Sequence, residues 1–442
     1  LTLILFSAIK DRTRGELKKV FFFAAFLIAA VSLFSQQISE ETFVVNVEVP
    51  VRVFKGSQFI DNLSINDFEI FENGIPQKIE AVYLVKKKSI ERREEKRRFS
   101  PITSRDFYLF FEISEYTSKI GEAVNYFVQN VAAPDDTLTI ISPMKTYRLK
   151  SRTFEFISKE RVVNQLKGIL RKDALVGSSE YRDIVEDMTQ LACSLSNTIQ
   201  SARAVASGSG AISSTDLLQP QNSIRNLDEF ARSPYEDLSV EDQLARYGEL
   251  LAQLDNIRKI DYQKFLEFAR ILRNKEGQKY VFVFYEREFI PKVEPKILDE
   301  YISLYQDRPN VLHTVTQIFD FYRRDINIDI NQLKKAYADS SVSIHFLFIT
   351  TPRKHIYGVK MEEQSEDIYI AFNEMAQATG GFSDSAANPA SLFKKALDAS
   401  ENYYLLYYSP ESYKKDGSFR EIKVKVKNSD YRIAHRAGYF AD

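Results

Sequence analysis

Phe107-Tyr-Leu-Phe-Phe111 runs straight into Glu112-Ile-Ser-Glu-Tyr116, and Tyr280-Val-Phe-Val-Phe284 runs straight into Tyr285-Glu-Arg-Glu288. Each apolar run is short and unbroken, the pattern of a strand buried on both faces. Each then meets carboxylates and hydroxyls without a transition. In an open parallel sheet, ligands and metals are held in the crevice beyond the carboxyl ends of the strands. The two stretches therefore predict neighbouring strands with an acidic rim that includes Glu112, Ser114 and Glu286.

The surrounding segments supply the rest of such a sheet. Ile120–Val131 spaces Val124, Phe127, Val128 and Val131 on one helical face, Thr137–Ile141 reads as a buried strand, and Lys159–Leu170 is amphipathic again. Tyr147–Phe156 adds an edge pair. Beyond the second stretch, Ile297–Tyr322 and Ile330–Ala338 read as helices and Val342–Ile349 as a buried strand. Asp367–Ala378 reads as a helix that stops at Gly380-Gly381, where glycine tolerates a left-handed cap, and Pro389–Leu397 as a last helix. Alternation of strand and helix predicts an α/β domain over 105–400, a doubly wound, mostly parallel sheet with helices on both faces.

A helical insertion at about 180–275 interrupts this order. Its two helical stretches, Glu180–Ala206 and Ser239–Leu272, flank a polar region that includes Ala206–Thr215, read as flexible. Leu244, Leu250, Leu251, Leu254, Ile257 and Ile260 recur at helical intervals. Periodicity alone does not choose between packing on the parent sheet and a projecting arm that binds a partner.

The flanks are of other kinds. Residues 41–85 read as a small all-β domain: Phe43–Phe54 comes to alternate apolar and polar residues, Phe68–Phe71 and Ile79–Val85 are further strands, and Asn73-Gly74 favours a tight hairpin. Residues 86–104, rich in lysine and arginine, read as a solvated linker. Residues 401–442 read as a C-terminal β segment packed on the α/β domain, with strands Tyr403–Tyr408, Phe419–Val426 and Tyr431–Ala434. At the other end, Arg12, Arg14, Lys18 and Lys19 precede the apolar run Val20–Phe34 and then Ser35-Gln36-Gln37. This is the pattern of a signal peptide over 1–36, shorter than the roughly 20 residues of a membrane span. It predicts an exported chain, periplasmic or extracellular, that meets a membrane only if the segment stays uncleaved as an anchor. Cys193 is the sole cysteine, so an internal disulfide is excluded; in the helical stretch Met188–Ile199 it reads as a small buried side chain.

A net charge of -1 argues against a general nucleic-acid binder. His313, His345, His355 and His435 lack ligand-like spacing such as HExxH, and there is no P-loop. What remains is the rim, with three chemical readings. A divalent-cation site would draw hard oxygen ligands from Glu112, Ser114, a hydroxyl of Gly177-Ser178-Ser179, and Glu286; Tyr116 is a bulky phenol where a short hydroxyl would serve. The two glutamates could instead be hydrogen-bonded structural groups. As an acid–base pair they would need a separation of roughly 5 to 9 Å in one cleft.

Ordered along the chain, several segments resemble bacterial exported proteins with a von Willebrand factor type A-related domain. Val47-Glu-Val-Pro-Val-Arg-Val-Phe54 and Phe59-Ile-Asp-Asn-Leu-Ser-Ile-Asn-Asp-Phe-Glu-Ile-Phe-Glu-Asn-Gly74 are similar to that family's N-terminal β segment. Phe107–Ser114 is similar to its first core strand and metal loop, and Met375-Ala-Gln-Ala-Thr-Gly-Gly381 to a late helix end. Tyr403–Tyr408 with Ser409-Pro410, Gly417–Val426, and Arg436-Ala-Gly-Tyr-Phe440 are similar to its C-terminal signature. The resemblance implies a metal motif Asp-x-Ser-x-Ser with a later threonine and aspartate. Ser114 keeps its serine, while Glu112, Tyr116, Ser179 and Glu286 stand in place of the other four.

The expected metal set is thus Glu112, Ser114, Ser179 and Glu286, in a degenerate form. The resemblance implies interaction rather than chemistry: an exported, non-enzymatic module of the cell envelope, without cofactor. It would bind a protein partner through loops Glu112–Thr117, Gly177–Ser179 and Glu286–Phe289, through the helical insertion, or through both. The alternatives are a metal-dependent adhesion domain holding Mg²⁺, Mn²⁺ or Ca²⁺, a structural scaffold of an envelope assembly, and a hydrolase using its paired glutamates.

Overall fold

The computed structural model describes residues 45–149, 153–206, 234–235, 237–258, 261–322, 329–352, 355–356, 359–363 and 366–442. The chain divides into Leu1–Val45 and Asn46–Asp442, and the second unit holds every element below. The expected signal segment at 1–36 lies outside the described residues, as does the polar stretch from 207 onward. No helix among the described residues is long and apolar enough to cross a membrane.

The first strands are β1 (Val47–Lys55), β2 (Gln58–Phe59), β3 (Phe68–Glu72), β4 (Ile75–Gln77), β5 (Ile79–Lys86) and β6 (Ser89–Glu95). They are followed by β7 (Arg105–Glu112), α1 (Ser118–Asn130), β8 (Thr137–Ile141), β9 (Thr146–Leu149), α2 (Thr153–Phe156) and α3 (Lys159–Gly177). Next come α4 (Ser179–Ala206), α5 (Val240–Ile257), α6 (Tyr262–Arg273), β10 (Gln278–Glu286), β11 (Phe289–Val293), α7 (Pro295–Leu304) and α8 (Pro309–Phe321). The chain continues with α9 (Ile330–Asp339), β12 (Val342–Ile349), β13 (Val359–Glu363), α10 (Glu366–Ala378), β14 (Ser383–Ala386) and α11 (Pro389–Asp398). It ends in β15 (Asn402–Tyr408), β16 (Phe419–Val426), β17 (Arg432–His435) and β18 (Gly438–Phe440).

The central sheet has the order β14-β12-β10-β7-β8-β9. Its strands are parallel except β9, which runs antiparallel to β8. β7 and β10 are direct neighbours in register, with Phe111 opposite Phe284 and Glu112 opposite Tyr285. Alternation along a strand explains why both runs are apolar throughout. Phe107, Leu109, Phe111, Tyr280, Phe282 and Phe284 enter one core with α1, α3 and α11. Tyr108, Val281 and Val283 enter another on the opposite face, with α6, α9 and α10. The rings of Phe111 and Phe284 stack at 4.7 Å. The architecture is mixed α/β, with all-β sheets attached.

Those all-β sheets correct the expected partition. β15 lies between β1 and β5, antiparallel to both, and β17 lies on the other side of β1. β16 joins β3 and β18. The segments expected as separate, 41–85 and 401–442, therefore interleave as one β structure. Strand pairing between the two ends of the chain leaves no local pattern to read. The expected linker 86–104 contains strand β6, paired with β5 at the sheet's edge. Its charges suit an edge: Arg92 pairs with Glu94, and Tyr83 donates to Glu95 at 2.5 Å.

The helical insertion also differs from its expected bounds. α4 and α5 share a core with α7, α8, β11 and β13, in which Leu191 and Leu195 meet Leu250, Leu254 and Val315. α6, expected within the insertion, packs on the parent sheet through Leu266, Ala269 and Leu272. The helical unit is thus assembled from two separate parts of the chain. Ile297–Tyr322, expected as one helix, is broken between α7 and α8, and Pro309 opens the second at its first position.

Candidate functional site at the carboxyl edge of the sheet

Parallel pairing brings the ends of β7 and β10 together, but alternation parts their acids. Glu112 lies opposite Tyr285, on the face that carries Tyr108, while Glu286 continues the opposite row of Phe282 and Phe284. Glu112 and Glu286 therefore leave the sheet on opposite faces. This geometry disfavours both the paired-glutamate hydrolase and a cation cage containing both acids.

Glu286 is engaged with Ser114. One of its oxygens accepts the backbone N–H and the hydroxyl of Ser114, each at 2.7 Å. The carbonyl of Ser114 in turn accepts from Arg182 at 2.7 Å. Glu112 keeps an exposed surface, yet much protein surrounds it; burial raises its carboxyl pKa, with the charge of Glu288 as the second cause. Glu288 pairs with Arg258 and accepts from Tyr285 at 3.2 Å. Arg287 donates to Glu363 at 3.1 Å.

The remaining expected ligands turn elsewhere. Ser179 donates to the carbonyl of Val176 at 2.9 Å and so closes the end of α3. Its neighbour Ser178 reaches the rim instead, donating to the carbonyl of Ile113 at 3.0 Å. The Tyr116 ring lies under the Arg171 guanidinium at 5.4 Å, and its hydroxyl occupies the space left by the missing side chain of Gly121. The four expected metal ligands do not converge, and the two that meet, Ser114 and Glu286, bind each other. As placed, they do not fit a divalent cation. Among the described residues, no group of three or more His, Cys, Asp or Glu side chains is placed to hold one. Cys193 lies half-buried against the helical core, and burial pushes its thiol up to about 11.

Sequence reasoning offered a hydroxyl of Gly177-Ser178-Ser179 but settled on Ser179 where Ser178 reaches the rim, and it missed Arg182. A signal for Arg182 existed: a cation just beyond the end of a helix interacts favourably with the last carbonyls. Arg182 donates to the carbonyls of Ala174, at 3.0 Å, and Leu175. The rim also carries apolar surface. Met144 (40% exposed), Leu175 (63%) and Val176 (48%) lie at the end of α3 and in the loop after β8. Gly177 brings these parts together: a Cβ there would lie 2.8 Å from Met144 Cγ and 2.9 Å from Pro143 Cβ.

No family model matches the chain, and no curated protein matches it. Solved structures similar to it include the human COPII-coat protein Sec24c, at 7% identity and a TM-score of 0.25. That match covers 76% of this chain and 44% of Sec24c, so the chain spans less than half of that protein's length. At that score the similarity carries no argument about fold or function.

Proposed function

We propose that the chain is an exported, non-enzymatic interaction module. Its sheet is doubly wound and similar to a von Willebrand factor type A domain, and a protein partner binds its carboxyl edge, with the helical unit beside it. The observation that carries this reading is the exposed apolar trio Met144, Leu175 and Val176 at that edge. Contiguous exposed apolar surface rimmed by polar residues marks interaction sites, and methionine is enriched at interfaces, whereas rim-exposed charge pairs contribute little. The engagement of Glu286 with Ser114 supports a structural role for that carboxylate rather than proton transfer. Export rests on the basic and apolar pattern of residues 12–34.

Photo-crosslinking in the native envelope, with the reactive group at Leu175, tests the proposal. One discrete crosslinked protein is expected, and it should vanish when Met144→Asp is added. An equal yield from a reactive group at Lys423, on the distant β16, would count against the edge. A structural scaffold is the second reading, favoured by the separate core of the helical unit. In that case the crosslinks would arise from exposed positions of α5 and not from Leu175.

A further inference from the structure

The β7–α1 loop is fastened on both sides of its backbone. On the amide side, Ser114 N–H and Oγ–H both donate to one oxygen of Glu286, at 2.7 Å each. On the carbonyl side, Ser114 accepts from Arg182 at 2.7 Å, and Ile113 accepts from Ser178 at 3.0 Å. Arg182 is shared, because it also binds the last carbonyls of α3, where the helix dipole presents partial negative charge. A protein anion and a protein cation thus hold the loop from opposite sides. Charge-assisted hydrogen bonds of this kind are stronger than neutral ones.

Arg182 also belongs to the first turn of α4. That helix continues from Ser179 to Ala206, and its Ile184, Leu191 and Leu195 are buried in the core of the helical unit. A shift of the loop must therefore move Arg182 or break its bonds, and a shift of Arg182 reaches the helical core through a continuous helix. We propose that Glu286, Ser114 and Arg182 form a cation-free clasp that locks the β7–α1 loop and couples the carboxyl edge to the helical unit. The coupling is reciprocal, so a ligand that moves one part alters the other's affinity for its own ligand. This consequence for recognition rests on the edge being a binding surface; the clasp itself does not.

Hydrogen–deuterium exchange on the full chain tests the clasp without any partner. Glu286→Ala and Arg182→Ala should each speed exchange of the Ser114 amide by roughly tenfold, the change expected for loss of one hydrogen bond. Both should also speed exchange over the first turns of α4. Glu286→Gln, which keeps an acceptor oxygen, should retain most of the protection. EDTA, Mg²⁺, Mn²⁺ and Ca²⁺ should leave the wild-type pattern unchanged. If Glu286→Ala does not fold, Ser114→Ala and Arg182→Lys give the same readout with smaller disruption. Protection that depends on a cation, or an unchanged Ser114 amide in folded variants, would overturn the clasp. An effect confined to the loop, with α4 unchanged, would overturn the coupling. Failure to find a crosslinked partner would leave these exchange rates as they are, so the two proposals fail separately.

Discussion

Lys279, the second residue of β10, is buried, 4% exposed, and its ammonium donates to the carbonyl of Lys275 at 2.7 Å. Burial, with repulsion from Arg436 second, lowers its pKa from 10.5 to about 8. Between these values the unfolded chain binds more protons than the folded one, so stability rises with pH across that window. Below it, the buried charge costs up to about 3 kcal/mol. Lys279→Met should therefore stabilise the protein by about 1–3 kcal/mol at neutral pH. The difference from wild type should shrink from pH 8 to 10.5, as measured by urea unfolding at a series of pH values. A constant difference would show that Lys279 is not desolvated as placed. His345 presents the same physics with a different partner set. It is 1% exposed, stacked on Phe282 at 4.7 Å, with Nδ1 accepting from the Phe382 N–H at 3.1 Å. The apolar strand Val342–Ile349 around it already pointed to a buried position. The serine that faces the rim was not legible in this way: Ser178 and Ser179 straddle a helix elbow, and one residue of helical rotation decides which hydroxyl turns inward.

The buried strands were the most legible elements, since residues that feed two cores at once leave a continuous apolar run. Edge strand β6 was the least legible, because its charges serve an edge as well as they would a linker. Its neighbourhood is nevertheless ordered by one buried acid. Asp136, at the start of β8, binds Arg105 of β7 and Lys88 of the β5–β6 turn, each at 2.7 Å. It also accepts from the Ala133 N–H at 2.8 Å. Removing one partner of a buried pair leaves the other charge uncompensated. Asp136→Ala should cost about 3–5 kcal/mol of stability, read from the shift in denaturant midpoint. A loss under roughly 1 kcal/mol would mean that the pair behaves like an exposed one. The helix end at 378 was legible through its glycines. Gly380 adopts a φ of +67°, and the Gly381 N–H closes back on the Ala376 carbonyl at 2.8 Å.

On the scale of the whole molecule, the two ends of the 46–442 unit meet in one β structure beneath the amino ends of the parallel strands. Arg52 of β1 donates to Ser343 Oγ at the start of β12, at 2.9 Å, and to the carbonyl of Gly380 at 3.4 Å. The β structure and the α/β sheet are thus joined at the edge opposite the rim, which leaves the carboxyl edge to the helical unit and to the proposed partner. None of this closure was visible in local patterns, because it depends on pairings between distant segments. The adjacency of the two carboxyl ends was legible, while their opposite facing follows only once register is known. The central claim is that this edge binds protein and needs no cation to do so. The most direct test is calorimetric binding of the crosslinked partner to the full chain in EDTA and in Mg²⁺, with Leu175→Asp beside the wild type. The expected result is one affinity in both buffers and binding weaker by roughly tenfold or more in the variant. Binding that disappears in EDTA, or that Leu175→Asp leaves unchanged, would contradict it.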